Sequence, residues 1–87
     1  MKHATDAALD QLEPLLAKIR AIEGIDERKR GIWHRKSRGF LHFHEDPAGF
    51  FADLKQGDHF VRHRVSTVGE QRAFLRALRR SLADLEA

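Results

Sequence analysis

The sequence predicts an α+β fold, in which a four-stranded antiparallel β-meander is flanked by N- and C-terminal helices packed on one face of the sheet. Three observations predict it. Apolar residues recur at helical spacing at both ends of the chain, apolar and polar residues alternate in the middle, and short turn sequences interrupt that alternation. The order is therefore α-β-β-β-β-α rather than alternating βαβ units. The 87 residues fit a single domain, with residues 1–12 the part most prone to fraying.

The N-terminal helix is predicted from an apolar stripe with a cap at one end and a stop at the other. Thr5 suits the N-cap, and Gly24 follows the last apolar position. Pro14 interrupts the pattern, so it either kinks one helix or lies in the first turn of a helix that begins near Glu13. The polar segment 26–30 is then a connector. The stripe consists of Leu9, Leu12, Leu15, Leu16, Ile19 and Ile22.

The C-terminal helix begins with a capping box, in which Thr67 and Glu70 have the T-x-x-E spacing. Its predicted apolar stripe consists of Phe74, Leu75, Leu78, Leu82 and Leu85. Its other side carries Arg72, Arg76, Arg79 and Arg80. A solvated charged surface accounts for such a row, and contact with phosphate is the alternative.

The stretch GFLHFHEDPAGFFADL, residues 39–54, predicts one hairpin with two unlike faces. If DPAG, residues 46–49, is its loop, Leu41 lies opposite Leu54 and His42 lies on the other side of the strand. A register shifted by one residue would place His42 opposite Leu54 and mix polar with apolar side chains on both faces. The unshifted register is therefore predicted.

A second turn at Gly57-Asp58 gives the same division into faces and places Asp53 opposite Arg62. Agreement between two independent turns supports the register. The predicted apolar face, which the helices cover, consists of Leu41, Phe43, Phe50, Ala52, Leu54, Val61 and Val65. The other face, called here the mixed face, consists of Phe40, His42, His44, Phe51, Asp53, Lys55, Phe60, Arg62 and Arg64.

The first hairpin has two possible turns. A two-residue turn at 38–39, which we favour, adds Trp33 and Arg35 to the mixed face and sends Ile32 and His34 inward. A three-residue SRG turn reverses that assignment.

Composition narrows the classes of function. The chain has no cysteine, which excludes a disulfide framework and a thiolate metal site. No run approaches the length of a membrane span and no signal-peptide core is present, so a cytoplasmic protein without membrane association is expected. The formal net charge is +3, and arginine is preferred to lysine, which favours planar contacts with phosphate or carboxylate.

The mixed face predicts a non-enzymatic binding module with nucleic acid as its first-choice ligand. Bases stack on aromatic side chains of such sheet faces while arginines neutralise phosphate. A protein-interaction or homodimer surface on the same face is the alternative. The residues predicted to bind nucleic acid or a partner are Arg35, His42, His44, Phe51, Asp53, Arg62 and Arg64.

Metal binding is the more distant hypothesis. His42 and His44 have H-x-H spacing on one strand, with Asp53 as a third ligand and His34 as a further one under the alternative first turn. Arg62 beside Asp53 would compete for the carboxylate and repel a cation. No metal site and no cofactor are therefore predicted.

Catalysis is not predicted either. A His42–Asp53 pair could orient an imidazole for acid/base chemistry. However, Ser37 and Ser66 have no nucleophile-elbow context, and an open sheet face excludes water poorly.

The helix ending in Ile22-Glu23-Gly24, followed by GIWHRKSRGFLHFHED and a final helix, resembles the small bacterial MmcQ/YjbR-like proteins. The resemblance extends over about residues 15–82, and the chain lacks the helix those proteins insert among their strands. It implies an α+β fold that is described as DNA-binding-like on the basis of its architecture.

Overall fold

The computed structural model describes residues 1–86, which form two helices and six strands. The α+β class, the antiparallel sheet and the helix at each end are confirmed, but the sheet has six strands rather than four. Along the chain the elements are β1 (Lys2–His3), α1 (Asp6–Arg20), β2 (Asp26–Lys29), β3 (Ile32–Arg35), β4 (Arg38–Asp46), β5 (Gly49–Gln56), β6 (His59–Arg64) and α2 (Val68–Glu86).

The two strands absent from the prediction are β1 and β2. The sheet order is β2-β3-β4-β5-β6, and β1 pairs with β4. β2 is an edge strand of charged residues, so it has no apolar alternation to reveal it. β1 and β3 lie end to end along the same edge of β4: the Phe43 N–H donates to the Gly31 carbonyl (3.1 Å), and the Phe43 carbonyl accepts the Ala4 N–H (3.0 Å).

Helix α1 is one helix with Pro14 inside it, which decides between the two alternatives for that proline. As predicted, Thr5 is the N-cap, and its hydroxyl accepts the Ala8 N–H (3.3 Å). The turn between β2 and β3 approaches the helix so closely that a Cβ on Gly31 would lie 2.8 Å from Leu9 Cδ2, and Gly31 has a φ of +82°. Only glycine fits this turn without strain.

Helix α2 begins with the predicted capping box. The Glu70 N–H donates to the Thr67 hydroxyl (3.1 Å), and the Thr67 N–H donates to Glu70 Oε1 (3.0 Å). Phe74 and the leucines up to 82 are buried, but Leu85 is exposed, so the apolar stripe ends one turn earlier than predicted. Within residues 1–86, neither helix is long and apolar enough to cross a membrane.

The register of β4, β5 and β6 is as predicted. Leu41 pairs with Leu54, and Asp53 pairs with both His42 and Arg62. The predicted apolar residues of these strands all lie on the face that the helices cover. Leu41, Phe43, Ala52, Leu54 and Val65 are buried there, and Phe50 and Val61 are partly buried.

The prediction for the first hairpin is wrong. The turn lies at Lys36-Ser37, both of which have positive φ (50° and 67°), and Arg35 pairs with Arg38. Trp33 is 1% exposed in the core, edge-on to Phe43 with ring centroids 5.9 Å apart. Arg35, two residues further along the same strand, is on the Trp33 side and not on the mixed face. Burial of the indole favours this register although Lys-Ser is a poor sequence for such a turn.

The prediction that Phe40 lies on the mixed face is also wrong. The pairing of β3 with β4 shifts between Trp33–Leu41 and His34–Gly39, which leaves Phe40 as an extra residue in a bulge. Its side chain is therefore buried in the core beside Leu41. Ile32 and His34, predicted to point inward, lie on the mixed face, where Ile32 is opposite His42.

Candidate metal-binding site on the mixed face

Two cross-strand rows form the centre of the mixed face. The predicted row His42–Asp53–Arg62 is confirmed, and so is the row His44–Phe51–Arg64. Strand β1 adds His3 to the second row, directly opposite His44. The antiparallel register thus brings side chains from four strands together on the face away from the helices.

Asp53 is held by Arg62 in a bidentate ion pair. Arg62 Nε and Nη2 donate to the two carboxylate oxygens of Asp53, each at 2.8 Å. This hydrogen bonding holds the pKa of Asp53 below its usual value, against the opposing effect of burial. Asp53 is buried and ionised at neutral pH, whereas the Arg62 side chain is 49% exposed.

The two histidines of β4 converge on the same carboxylate. His44 Nε2 lies 3.2 Å from Asp53 Oδ2. One ligand atom from each of His42, His44 and Asp53 can be chosen so that all lie within 4.8 Å of one another. Two imidazoles and a carboxylate are a donor set that zinc and related ions accept. Around a bound ion these atoms would close from within 4.8 Å to about 3.4 Å of one another.

Nitrogen atoms in this cluster lack hydrogen-bond partners. His42 Nδ1 and His44 Nε2 are both buried and have no hydrogen-bond partner. His44 Nε2 lies 3.2 Å from Asp53, but this contact is not aligned as a hydrogen bond. A buried polar atom without a partner costs about 1–3 kcal/mol. Such nitrogens are free of protein partners and can coordinate or hydrogen-bond a ligand.

Both imidazoles are held in the neutral form that coordinates metal ions. Burial is the main cause that lowers the pKa of His42, and the neighbouring His44 lowers it further. Burial also lowers the pKa of His44, although Asp53 opposes that shift. At neutral pH each ring therefore offers a nitrogen lone pair.

The other residues predicted to bind a ligand, Arg64, Phe51 and Arg35, do not converge on Asp53. The guanidinium of Arg64 donates to Glu70 (3.0 Å to each oxygen) and to the Ala48 carbonyl (3.0 and 3.2 Å), so it is engaged by the β4–β5 turn and by α2. Phe51 is partly buried in the second row, between His44 and Arg64. Arg35 is not part of the cluster, since it lies on the opposite side of the sheet.

Sequence reasoning missed His3 as a site residue, and it placed His34 here only under the less favoured turn. The ring of His3 lies 4.8 Å from that of His44, centroid to centroid. His34 Nδ1 is a further buried nitrogen without a partner. The only signal for His3 was its residue type, since a two-residue strand leaves no periodic pattern.

The remaining two histidines belong elsewhere. His63 lies beneath α2, with Nε2 2.6 Å from Gln56 Oε1 and its ring edge-on to Phe74. His59 is exposed and its ring nitrogen is 3.1 Å from Asp58 Oδ1. Neither joins the cluster on the mixed face.

No model of a known protein family, no curated protein and no solved structure matches this chain. The resemblance to MmcQ/YjbR-like proteins therefore stays a prediction. A function has to be inferred from the geometry of the mixed face.

Proposed function

We propose that this protein is a metal-binding domain that holds one divalent ion of the zinc type through His42, His44 and Asp53. The observation that carries this proposal is the convergence of two imidazoles and a carboxylate within 4.8 Å. The unpartnered nitrogens of the two histidines support it further.

The donor set favours imidazole-binding ions over calcium or magnesium. Calcium sites need six to eight oxygen ligands, and magnesium keeps an octahedral shell of oxygens. A single carboxylate beside neutral imidazoles suits neither of them. Zinc, with copper and nickel as related candidates, takes nitrogen and oxygen ligands together.

Arg62 lowers the affinity of the site but does not block it. Each carboxylate oxygen has two lone pairs, and the bidentate pair uses one on each oxygen of Asp53. An ion can therefore share Asp53 with Arg62. The charges of the aspartate and the guanidinium cancel, so we expect binding weaker than that of closed structural zinc sites.

We assign the site to binding rather than to catalysis. The Ser66 hydroxyl accepts the Phe50 N–H (2.8 Å), and the Ser81 hydroxyl donates to the Lys55 carbonyl (2.8 Å). Both hydroxyls are thus hydrogen-bonded to the backbone of β5 and not to the histidines.

A zinc titration followed by calorimetry tests the proposal. The wild-type protein is expected to bind about one ion per chain. It should gain about 2.7 kcal/mol in the free energy of unfolding when free zinc is 100-fold above the dissociation constant. His42→Ala and His44→Ala should each lose this stabilisation, because each removes a ligand.

The matched control is His59→Ala, which removes an exposed histidine outside the cluster and should leave zinc binding unchanged. Magnesium in place of zinc should give no binding. Zinc binding of equal affinity in His42→Ala and in the wild type would contradict the proposal.

Nucleic-acid binding is a second candidate, favoured by one observation on α2 rather than on the sheet. Arg72, Arg76, Arg79 and Arg80 are exposed, and within residues 1–86 no acidic side chain lies in ion-pair distance of them. By contrast, Arg62 and Arg64 on the mixed face are both paired with carboxylates. Nucleic-acid binding and homodimerisation through the mixed face stay predictions.

Fluorescence anisotropy with single-stranded DNA and RNA tests this second candidate. Affinity is expected to fall steeply between about 50 and 200 mM salt. Arg76→Ala with Arg79→Ala should weaken binding and reduce the salt slope by about 1 for each phosphate that is no longer neutralised. Weakening by Arg62→Ala alone would instead favour the mixed face as the binding surface.

A further inference from the structure

Strand β1 pairs with the half of β4 that follows His42. Residues 1–5, which include β1, make a short run of contacts with that segment. These contacts are Lys2 Nζ with Glu45 (3.7 Å), the terminal ammonium with Asp46 (3.8 Å), the Ala4 N–H with the Phe43 carbonyl (3.0 Å) and the Thr5 N–H with Glu45 Oε1 (3.2 Å). Two pairs of residues make up the whole β1–β4 ladder. A ladder this short is weak by itself.

The function of this short strand is suggested by the side chain it carries. His3 lies directly opposite His44, with 4.8 Å between the ring centroids. Its ring is also 6.2 Å from that of His42, and the rings of His42 and His44 are 5.7 Å apart. The three imidazoles thus form a triangle beside Asp53.

Two sides of the triangle are close to the separation of imidazoles that share one ion. A zinc–nitrogen bond of about 2.0–2.1 Å places the centre of an imidazole about 3.1 Å from the ion. Two such rings at a tetrahedral angle then have centroids about 5 Å apart. The separations of 4.8 Å between His3 and His44 and of 5.7 Å between His42 and His44 lie near this value. The 6.2 Å between His3 and His42 is about 1 Å longer. His3 is therefore outside the group of three whose ligand atoms already converge, and its ring has to move towards the ion to bind it.

We propose that His3 is the third imidazole of the site, so that the ion is held by His3, His42, His44 and Asp53. This inference rests on the proposed function, because it completes the same site. Three nitrogens and one oxygen make the four-coordinate shell of a tetrahedral zinc site. His3 is exposed, so its ring can turn towards an ion that the more buried rings of His42 and His44 already hold.

Coordination by His3 links ion binding to the docking of β1. An ion that binds the docked strand more tightly than the undocked strand stabilises docking by the same factor. Since the Ala4 N–H donates to the Phe43 carbonyl at the end of β1, the hydrogen exchange of that amide reports whether the strand is docked. Zinc should therefore slow the exchange of the Ala4 amide.

The test combines zinc titration with amide exchange in three proteins. The wild type should bind zinc and show slower exchange at Ala4. His3→Ala should bind zinc at least about tenfold more weakly and lose the effect on Ala4. His59→Ala is the matched control: it removes an exposed imidazole that touches neither the cluster nor β1, and should retain both results.

The wild-type titration distinguishes failure of zinc binding as a whole from failure of the role given to His3. Absence of zinc binding in the wild type would overturn the proposed function, and the role of His3 with it. Wild-type affinity in His3→Ala, with the same slowing at Ala4, would overturn only the role of His3. The site would then consist of His42, His44 and Asp53.

Discussion

Arg62→Gln is expected to tighten zinc binding by about tenfold or more. The guanidinium of Arg62 is bonded to both oxygens of Asp53, so an ion on that carboxylate lies close to a positive charge. A unit charge about 5 Å from a divalent ion is repelled by about 2 kcal/mol even at the dielectric constant of water. Because Arg62 is half exposed, the value in water is a suitable lower estimate.

Arg62 also holds the Asp53 carboxylate in position, and losing that support would weaken zinc binding. Glutamine is chosen because its amide can still donate a hydrogen bond to Asp53 without carrying a charge. We therefore expect the removal of repulsion to outweigh the loss of positioning. Calorimetric titration of the variant and the wild type measures the net effect.

The sign of this effect distinguishes the two uses of the mixed face. If the face binds nucleic acid, Arg62→Gln should weaken binding of the polyanion, since it removes a cation. If the face binds a metal ion, the same change should strengthen binding. Arg64→Gln is the control, because Arg64 pairs with Glu70 and should have little influence on zinc. Weaker zinc binding in Arg62→Gln would contradict the electrostatic account.

Trp33→Ala is expected to destabilise the fold by about 3–5 kcal/mol, the usual cost of truncating a buried aromatic residue. Trp33 is 1% exposed and packs against Phe43 at the centre of the core. Urea denaturation at equilibrium, followed by circular dichroism, measures the change in the free energy of unfolding.

Phe60→Ala is the comparison for this variant, because Phe60 is an aromatic residue of the same sheet that is 40% exposed on the mixed face. Its truncation should cost far less than that of Trp33. Equal costs for the two variants would mean that Trp33 lies on the mixed face, and the register of β3 would then have to be revised.

The parts of the fold that could be predicted are those where alternation and turn chemistry agree. In β4, β5 and β6 the period of two and two turns containing glycine gave one register, and Leu41, Asp53 and Arg62 all pair accordingly. The first hairpin lacked such agreement. Its turn residues, Lys36 and Ser37, have positive φ without being the glycine or asparagine that usually marks it.

The candidate site was predictable in part for the same reason. Alternation placed His42, His44 and Asp53 on one face, but it could not give the contact between His44 and Asp53, which lie diagonally across two strands. Sheet twist and side-chain rotation decide such contacts. The distance between His3 and His44 depends on the pairing of two segments that lie about 40 residues apart in the sequence. A strand of two residues is too short to show the alternation that would predict this pairing.

Anomalous diffraction at the zinc edge from zinc-soaked crystals is the decisive test of the metal site, because it locates the ion itself. We predict one strong peak on the mixed face, about 2.0–2.2 Å from a nitrogen of His42, a nitrogen of His44 and an oxygen of Asp53. A peak beside His59 and Asp58 alone, or no peak at all, would contradict the assignment of the metal site.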